Sequence, residues 1–208
     1  MSLIAKSTGG TEFKNPPTGN HLARCFRITD YGSQTSKYGQ QRKILISWEL
    51  HGEDDDGNAL SMDDGKPFAV SSYYTLSLSN GASLRTMLEQ WRNRSFTLDE
   101  LSGFDLKNIL GQWCMVSVAI DKGADGKEYC NVKSVSPVPT SIKKQGLPDG
   151  VNDPVLFSLE NFNKQIYDTL AEKTRAKIAL SPEYKKATES AFADMKDDVP
   201  EDDQSVPF

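Results

Sequence analysis

The chain has 208 residues, 37% of them hydrophobic and 25% charged, with a formal net charge of −5. That length suits one domain with appendages, and the longest apolar-rich stretch, Cys114 to Ile120, is far too short to cross a bilayer. The charge is uneven: residues 194–208 hold six acids and one Lys, residues 1–193 balance to zero, and residues 1–50 carry +4.

Residues 1–19 are polar and punctuated by Gly and Pro, which predicts a flexible leader without the apolar core of a signal peptide. His21 to Tyr31 alternates and predicts a first strand. A turn-rich loop follows, from Tyr31 to Gln40. Gln41 to Leu50 is a second strand, with Ile44, Ile46, Trp48 and Leu50 on one face and Lys43, Leu45, Ser47 and Glu49 on the other. His51 to Pro67 is a long acidic loop, and Phe68 to Leu78 a third strand. Asn80 to Ser83 opens a helix whose Leu84, Met87, Leu88 and Trp91 form one buried stripe. Thr97 and Glu100 make a capping box for a short helical stretch through Leu110. Gly111 to Asp121 and Lys127 to Val135 are the fourth and fifth strands.

Three strands, a helical segment and two strands are the order of an oligonucleotide/oligosaccharide-binding (OB) barrel, with the helical segment between strands three and four. The expected fold is therefore mainly β: a five-stranded barrel over residues 20–139, ended by Pro137-Val138-Pro139. A linker spans 140–154. C-terminal helices occupy 155–193, one capped by Ser158 and carrying Leu159, Phe162, Ile166 and Leu170. Another starts at Ser181-Pro182-Glu183, with Pro at the first helical position. Residues 194–208 form an acidic tail too polar to fold.

Cys25, Cys114 and Cys130 form no Cys-x-x-Cys pair and read as buried thiols in a reducing, cytoplasmic compartment. With His21 and His51 as the only imidazoles, a zinc site is not expected. Asp54, Asp56 and Asn58 match the first ligand positions of a calcium loop, but Ala59 and Gly65 stand where Gly and Glu are required. No Walker loop, dinucleotide fingerprint or nucleophile–His signature is present. No cofactor, metal or catalytic residue is expected.

The tail ends Val206-Pro207-Phe208 after the acidic approach of Asp202 and Asp203. This resembles the acidic Ile-Pro-Phe tip of bacterial single-stranded-DNA-binding proteins and the Phe-ended tails of phage ones. Ring, carboxylate and acids make a ligand for a basic-rimmed apolar pocket. The body carries a second resemblance, to OB-fold single-stranded-DNA-binding proteins of phage replication and recombination modules. It runs through Ile28-Thr29-Asp30-Tyr31-Gly32, Gln41 to Leu50, Leu84 to Arg92, Phe104 to Gly111 and Ser181-Pro182-Glu183-Tyr184. The resemblance implies DNA coating, and recruitment of replication or recombination proteins by the tip.

Such barrels hold a strand with cations along its backbone and rings under its bases, on the face of strands two and three and its flanking loops. Those places hold Arg24, Arg27, Tyr31, Lys37, Tyr38, Arg42 and Lys43 around the first loop, and Lys122, Lys127, Tyr129 and Lys133 around the last. Tyr73 joins them from strand three; Tyr74 must point the opposite way. Trp113 stands at a strand start, while Trp48 and Trp91 read as core. Arg92 and Arg94 read as a solvated helix end. The rival expectations are an OB-fold protein-interaction adaptor, which the acidic loop favours, and a metal-dependent nuclease using Asp54 and Asp56. The oligomeric state stays open.

Overall fold

An 18-residue strand organises the fold. In the computed structural model, which describes residues 14–197 apart from 38, 54–56, 58, 124 and 125 (side chains through 189), β1 runs Gly19–Ser36. Its register shifts between Cys25 and Arg27 and again between Asp30 and Gly32. Such bulges bend a strand and increase its twist, so β1 can serve three neighbours. It pairs antiparallel with β2 (Gly39–His51) along most of its length and with β4 (Trp113–Lys122) through its first six residues. Its middle pairs parallel with β6 (Val155–Phe157). β3 (Ala69–Thr75) lies outside β2, and β5 (Glu128–Ser136) outside β4.

The sheet order is β3-β2-β1-β4-β5, with β6 beside β1. The protein is thus mainly β, an open six-stranded sheet with several helices. β3 and β5 end the order at opposite sides, and no ladder joins them among the described residues. The sheet curls enough that both strands line common clefts: Tyr73 and Lys133 share one, Ser71 and Tyr129 the next.

The alternation within β2 sorts as its sequence dictates. Ile44, Ile46, Trp48 and Leu50 are buried together with Val116 and Val118 of β4. Helix α1 (Ser83–Arg92) closes this core with Leu84, Met87, Leu88 and Trp91, all buried. It stops at Asn93, whose left-handed backbone (φ 51°) receives the chain after the last turn. The short α2 (Leu98–Ser102) begins in the expected capping box: Glu100 N–H donates to Thr97 Oγ1 at 3.3 Å and Thr97 N–H to Glu100 Oε2 at 3.0 Å. A 3-10 turn, Leu106–Ile109, leads into β4.

The C-terminal third differs from its sequence reading. Residues 140–154 hold a helix, α3 (Thr140–Gln145), and then dock on the sheet. Residues 155–157 are a sixth strand rather than a helix start. Ser158 caps no helix; its hydroxyl accepts from Glu160 N–H at 3.2 Å. Helix α4 (Lys164–Asp168) starts later, capped by Asn163, whose side chain accepts from Ile166 N–H at 3.1 Å. The reason lies outside the segment. Asp30 accepts the Leu159 N–H at 3.2 Å and β1 takes the backbone of 155–157, so long-range partners hold this stretch extended. Helices α5 (Glu172–Ala179) and α6 (Pro182–Asp197) follow; the latter has Pro182 first, as expected, but runs through Asp197, four residues into the segment expected to be an unfolded tail.

These helices build a second core outside the sheet. Tyr31, Phe157, Leu159, Leu170 and Ile178 are buried together, with Leu45 of β2 and Tyr184 packed against them. Gly32 marks a close approach of this segment to β1. Its φ is +65°, and a methyl there would meet Ser181 Cβ at 2.5 Å and Glu183 Oε2 at 2.9 Å. Gly32→Ala should therefore destabilise the protein by roughly 1–3 kcal/mol through overpacking and loosen residues 158–186. Limited proteolysis with a parallel thermal melt tests this; an unchanged cleavage pattern there would show that the approach is not close.

Candidate nucleic-acid interface

The outward face of β2 and β3 is set by the two-residue period of the strands. Register places Lys43 opposite Thr75, Leu45 opposite Tyr73, Ser47 opposite Ser71 and Glu49 opposite Ala69. Tyr74 points inward and is buried, while Tyr73 is 51% exposed, so one ring of the pair is available to a ligand. Across the seam, Tyr129 is 48% exposed and shares an outward row with Asn131 and Lys133. Two clefts of about 500 and 430 Å³ run along this seam. Hydroxyls of Ser72, Ser83, Thr86 and Ser134 line the first. Tyr73 and Lys133 line the first cleft and Tyr129 the second, so each offers a ring that can stack on a planar group, and the first adds a lysine and hydroxyls that can hydrogen-bond beside it.

The cations differ in exposure and in partners. Lys37, Lys122 and Lys127 are exposed at the loops. The Lys43 ammonium donates to Gln41 Oε1 at 2.8 Å and Thr75 Oγ1 at 2.6 Å, so it is held on the outward face beside Tyr73 by neutral partners. Lys133 pairs with Asp121, a hydrogen bond that, with the Asn131 amide, lowers the Asp121 pKa below the ordinary carboxylate range.

Arg24 and Arg42 are committed to the interior. Arg24 Nη1 donates to Glu49 Oε1 at 3.3 Å and to the Asn152 carbonyl at 3.1 Å, and its guanidinium lies against Gly150. Arg42 donates to Asp30 at 2.6 Å and Glu160 at 2.7 Å. The Asp30 bonds outweigh its partial burial and raise its pKa further. Arg27 is half-buried, with its guanidinium 5.6 Å from the Phe26 ring centroid.

Of the expected rings, Tyr31 is not on the surface. It is 2% exposed, and its hydroxyl donates to Thr174 Oγ1 at 3.1 Å and accepts from the Tyr73 hydroxyl at 3.2 Å. Burial, only partly offset by the Thr174 bond, pushes its pKa up to about 12. Trp113 is half-buried away from the seam, 4.8 Å from the His51 ring. Trp48 and Trp91 are core, as their patterns indicate. Arg92 is not a solvated helix end: it packs 4.5 Å from the Phe96 ring centroid and pairs with Glu100, as does Arg94.

Tyr38 and the tail residues Asp202, Asp203, Val206, Pro207 and Phe208 lie outside the described residues, as do Asp54, Asp56 and Asn58 of the calcium-like loop. Among the described residues, no group of three or more His, Cys, Asp or Glu could hold a metal ion. Cys25, Cys114 and Cys130 are free thiols, and burial pushes Cys25 up to about 12. No described helix is long and apolar enough to cross a membrane.

Sequence reasoning missed the residues that the C-terminal segment brings to this face. Glu183 accepts from Ser33 N–H at 2.8 Å, Glu160 holds Arg42, and the Lys177 ammonium sits 5.3 Å from the Tyr73 ring centroid. No local signal could have found them, because their partners lie more than 100 residues away. No protein-family model matches the chain, and no curated protein is similar to it.

Proposed function

We propose that this chain binds single-stranded DNA on the outward seam of β3 and β5, with little sequence preference and without catalysing a reaction. The observation that carries the reading is a pair of half-exposed rings lining neighbouring clefts along the β3–β5 seam: Tyr73 in the first, with Lys133 and several Ser and Thr residues, and Tyr129 in the second, while Lys43 stands one outward position along the ladder from Tyr73. Every base has a face that can stack on tyrosine. The strand order, with β1 shared between β2 and β4 and the β3 and β5 edges brought together, supports an OB-type barrel. Within this reading, the acidic segment 194–208 recruits replication or recombination proteins of a phage-type system in the cytoplasm. Weak contacts by many tips on one coated strand add up through avidity.

One observation favours a protein-interaction adaptor instead: Arg24 and Arg42, two cations of the expected DNA face, already serve internal carboxylates. Fluorescence titration with oligo-dT and with a duplex of equal length separates the readings. The expected result is tyrosine quenching by the single strand alone, with log affinity falling against log salt by about 0.7 per phosphate contacted. No binding to either nucleic acid, in the full chain or in one lacking residues 197–208, would leave the adaptor reading.

A further inference from the structure

We propose that the C-terminal helical segment is part of the strand-binding face, with Lys177 of α5 as a phosphate contact beside the Tyr73 ring. This rests on the single-strand reading above and adds to it a residue contributed from outside the expected barrel.

The segment is anchored where it matters. Ile178 is fully buried in the outer core, the Gln34 side-chain amide donates to the Lys177 carbonyl at 3.1 Å, and Thr174 accepts the Tyr31 hydroxyl. The Lys177 backbone is therefore placed, while its side chain is exposed. Among the described residues its ammonium meets no carboxylate; its neighbour is the Tyr73 ring at 5.3 Å. Tyr31 meets that same ring edge-on, with centroids 5.2 Å apart at 76°, which fixes its orientation. Lys43 stands one outward position along the β2–β3 ladder. A base stacked on Tyr73 thus finds two ammonium groups within a nucleotide's reach, one of them on the C-terminal segment.

The same segment closes the other side of the face. The Glu160 carboxylate occupies Arg42, and Glu183 occupies the Ser33 N–H and hydroxyl. These are the groups that the β1–β2 end would otherwise offer to phosphate oxygens. A strand is therefore directed away from Arg42 and toward Tyr73, where Lys177 takes the role that the sequence assigns to Arg42.

The test compares full-length wild type, Lys177→Ala and Lys177→Arg in oligo-dT titrations across a salt series, each checked by thermal melting. Alanine is the strongest helix former, so Lys177→Ala should melt like wild type. The expected result is a salt slope smaller by about 0.7 and an affinity lower by about fivefold near 0.1 M salt, the counterion term of one phosphate contact. Lys177→Arg should restore both. Salt-dependent wild-type binding with an unchanged slope in Lys177→Ala overturns this proposal alone. No binding by the wild type overturns the single-strand reading, and this proposal with it.

Discussion

Replacing Glu49 with Ala should destabilise the protein by roughly 3–5 kcal/mol, the range for breaking a buried ion pair from one side. Glu49 is 0% exposed, although its place in the alternation of β2 puts it on the outward face. Its carboxylate accepts from Arg24 at 3.3 Å, from the Val151 N–H at 3.0 Å, from the Asn152 N–H at 2.7 Å and from the Asn152 side chain at 2.6 Å. His51 Nε2 lies 3.2 Å away. Removing it leaves the Arg24 guanidinium without its counter-charge and two backbone donors without acceptors. It also releases the segment that leads into β6, so a second consequence is faster hydrogen exchange in residues 150–157. Chemical denaturation of Glu49→Ala beside wild type measures the loss, and a cost below about 1 kcal/mol would show that the knot is solvated.

The same carboxylate predicts a pH dependence. Burial alone would raise its pKa, but the Asn152, His51 and Val151 interactions together outweigh burial and hold it below the ordinary glutamate value of 4.5. A depressed folded-state pKa means that the unfolded chain binds the proton more tightly. The stabilisation is fully present above the ordinary glutamate range and is lost as pH falls through the depressed folded value. Glu49→Gln should lack that part of the acid-side loss, which denaturation midpoints from pH 6 down to pH 3 would reveal as a flatter profile.

Tyr73→Ala and Tyr129→Ala should each weaken oligo-dT binding by about 5- to 150-fold, the equivalent of roughly 1–3 kcal/mol per stacked base. The two rings stand at opposite ends of the β3–β5 seam, so their effects should add. Tyr73 also donates to the Tyr31 hydroxyl, and Tyr73→Phe isolates that bond. The phenylalanine variant keeps the stacking face and should bind within about threefold of wild type while melting slightly lower, by the roughly 0.5–1.5 kcal/mol of one hydrogen bond. If both alanine variants bind as wild type does, the seam is not the ligand face, and the exposed rings require another explanation.

The periodicities in the sequence carried most of the sheet and α1. The alternation of β2 reflects a physical constraint within the strand itself: successive side chains must point to opposite sides, so the apolar set goes inward together. The Leu84–Trp91 stripe, the Thr97–Glu100 box and Pro182 at a helix start are equally local, and each forms where its spacing indicates. The opposite orientation of Tyr73 and Tyr74 follows from the same rule.

Other features depend on partners distant in sequence. Leu159, Phe162, Ile166 and Leu170 have helical spacing, but the β1 edge takes the backbone of 155–157 and the Asp30 carboxylate the Leu159 N–H, so the helix starts only at Lys164. Tyr31, Arg24 and Arg42 have the chemistry of a DNA face. They are instead covered by, or paired with, groups between 12 and 143 residues away. Lys177 has no distinguishing mark in the sequence and gains its position from the packing of Ile178 beneath it. Backbone period alone sends Ile44, Ile46, Trp48 and Leu50 into the first core and turns Tyr73 rather than Tyr74 outward, so these were legible before any fold was known. That Arg24 is taken up by Glu49 and Arg42 by Asp30 follows from the tertiary structure, because a carboxylate and an arginine find one another through the fold, whatever their separation along the chain.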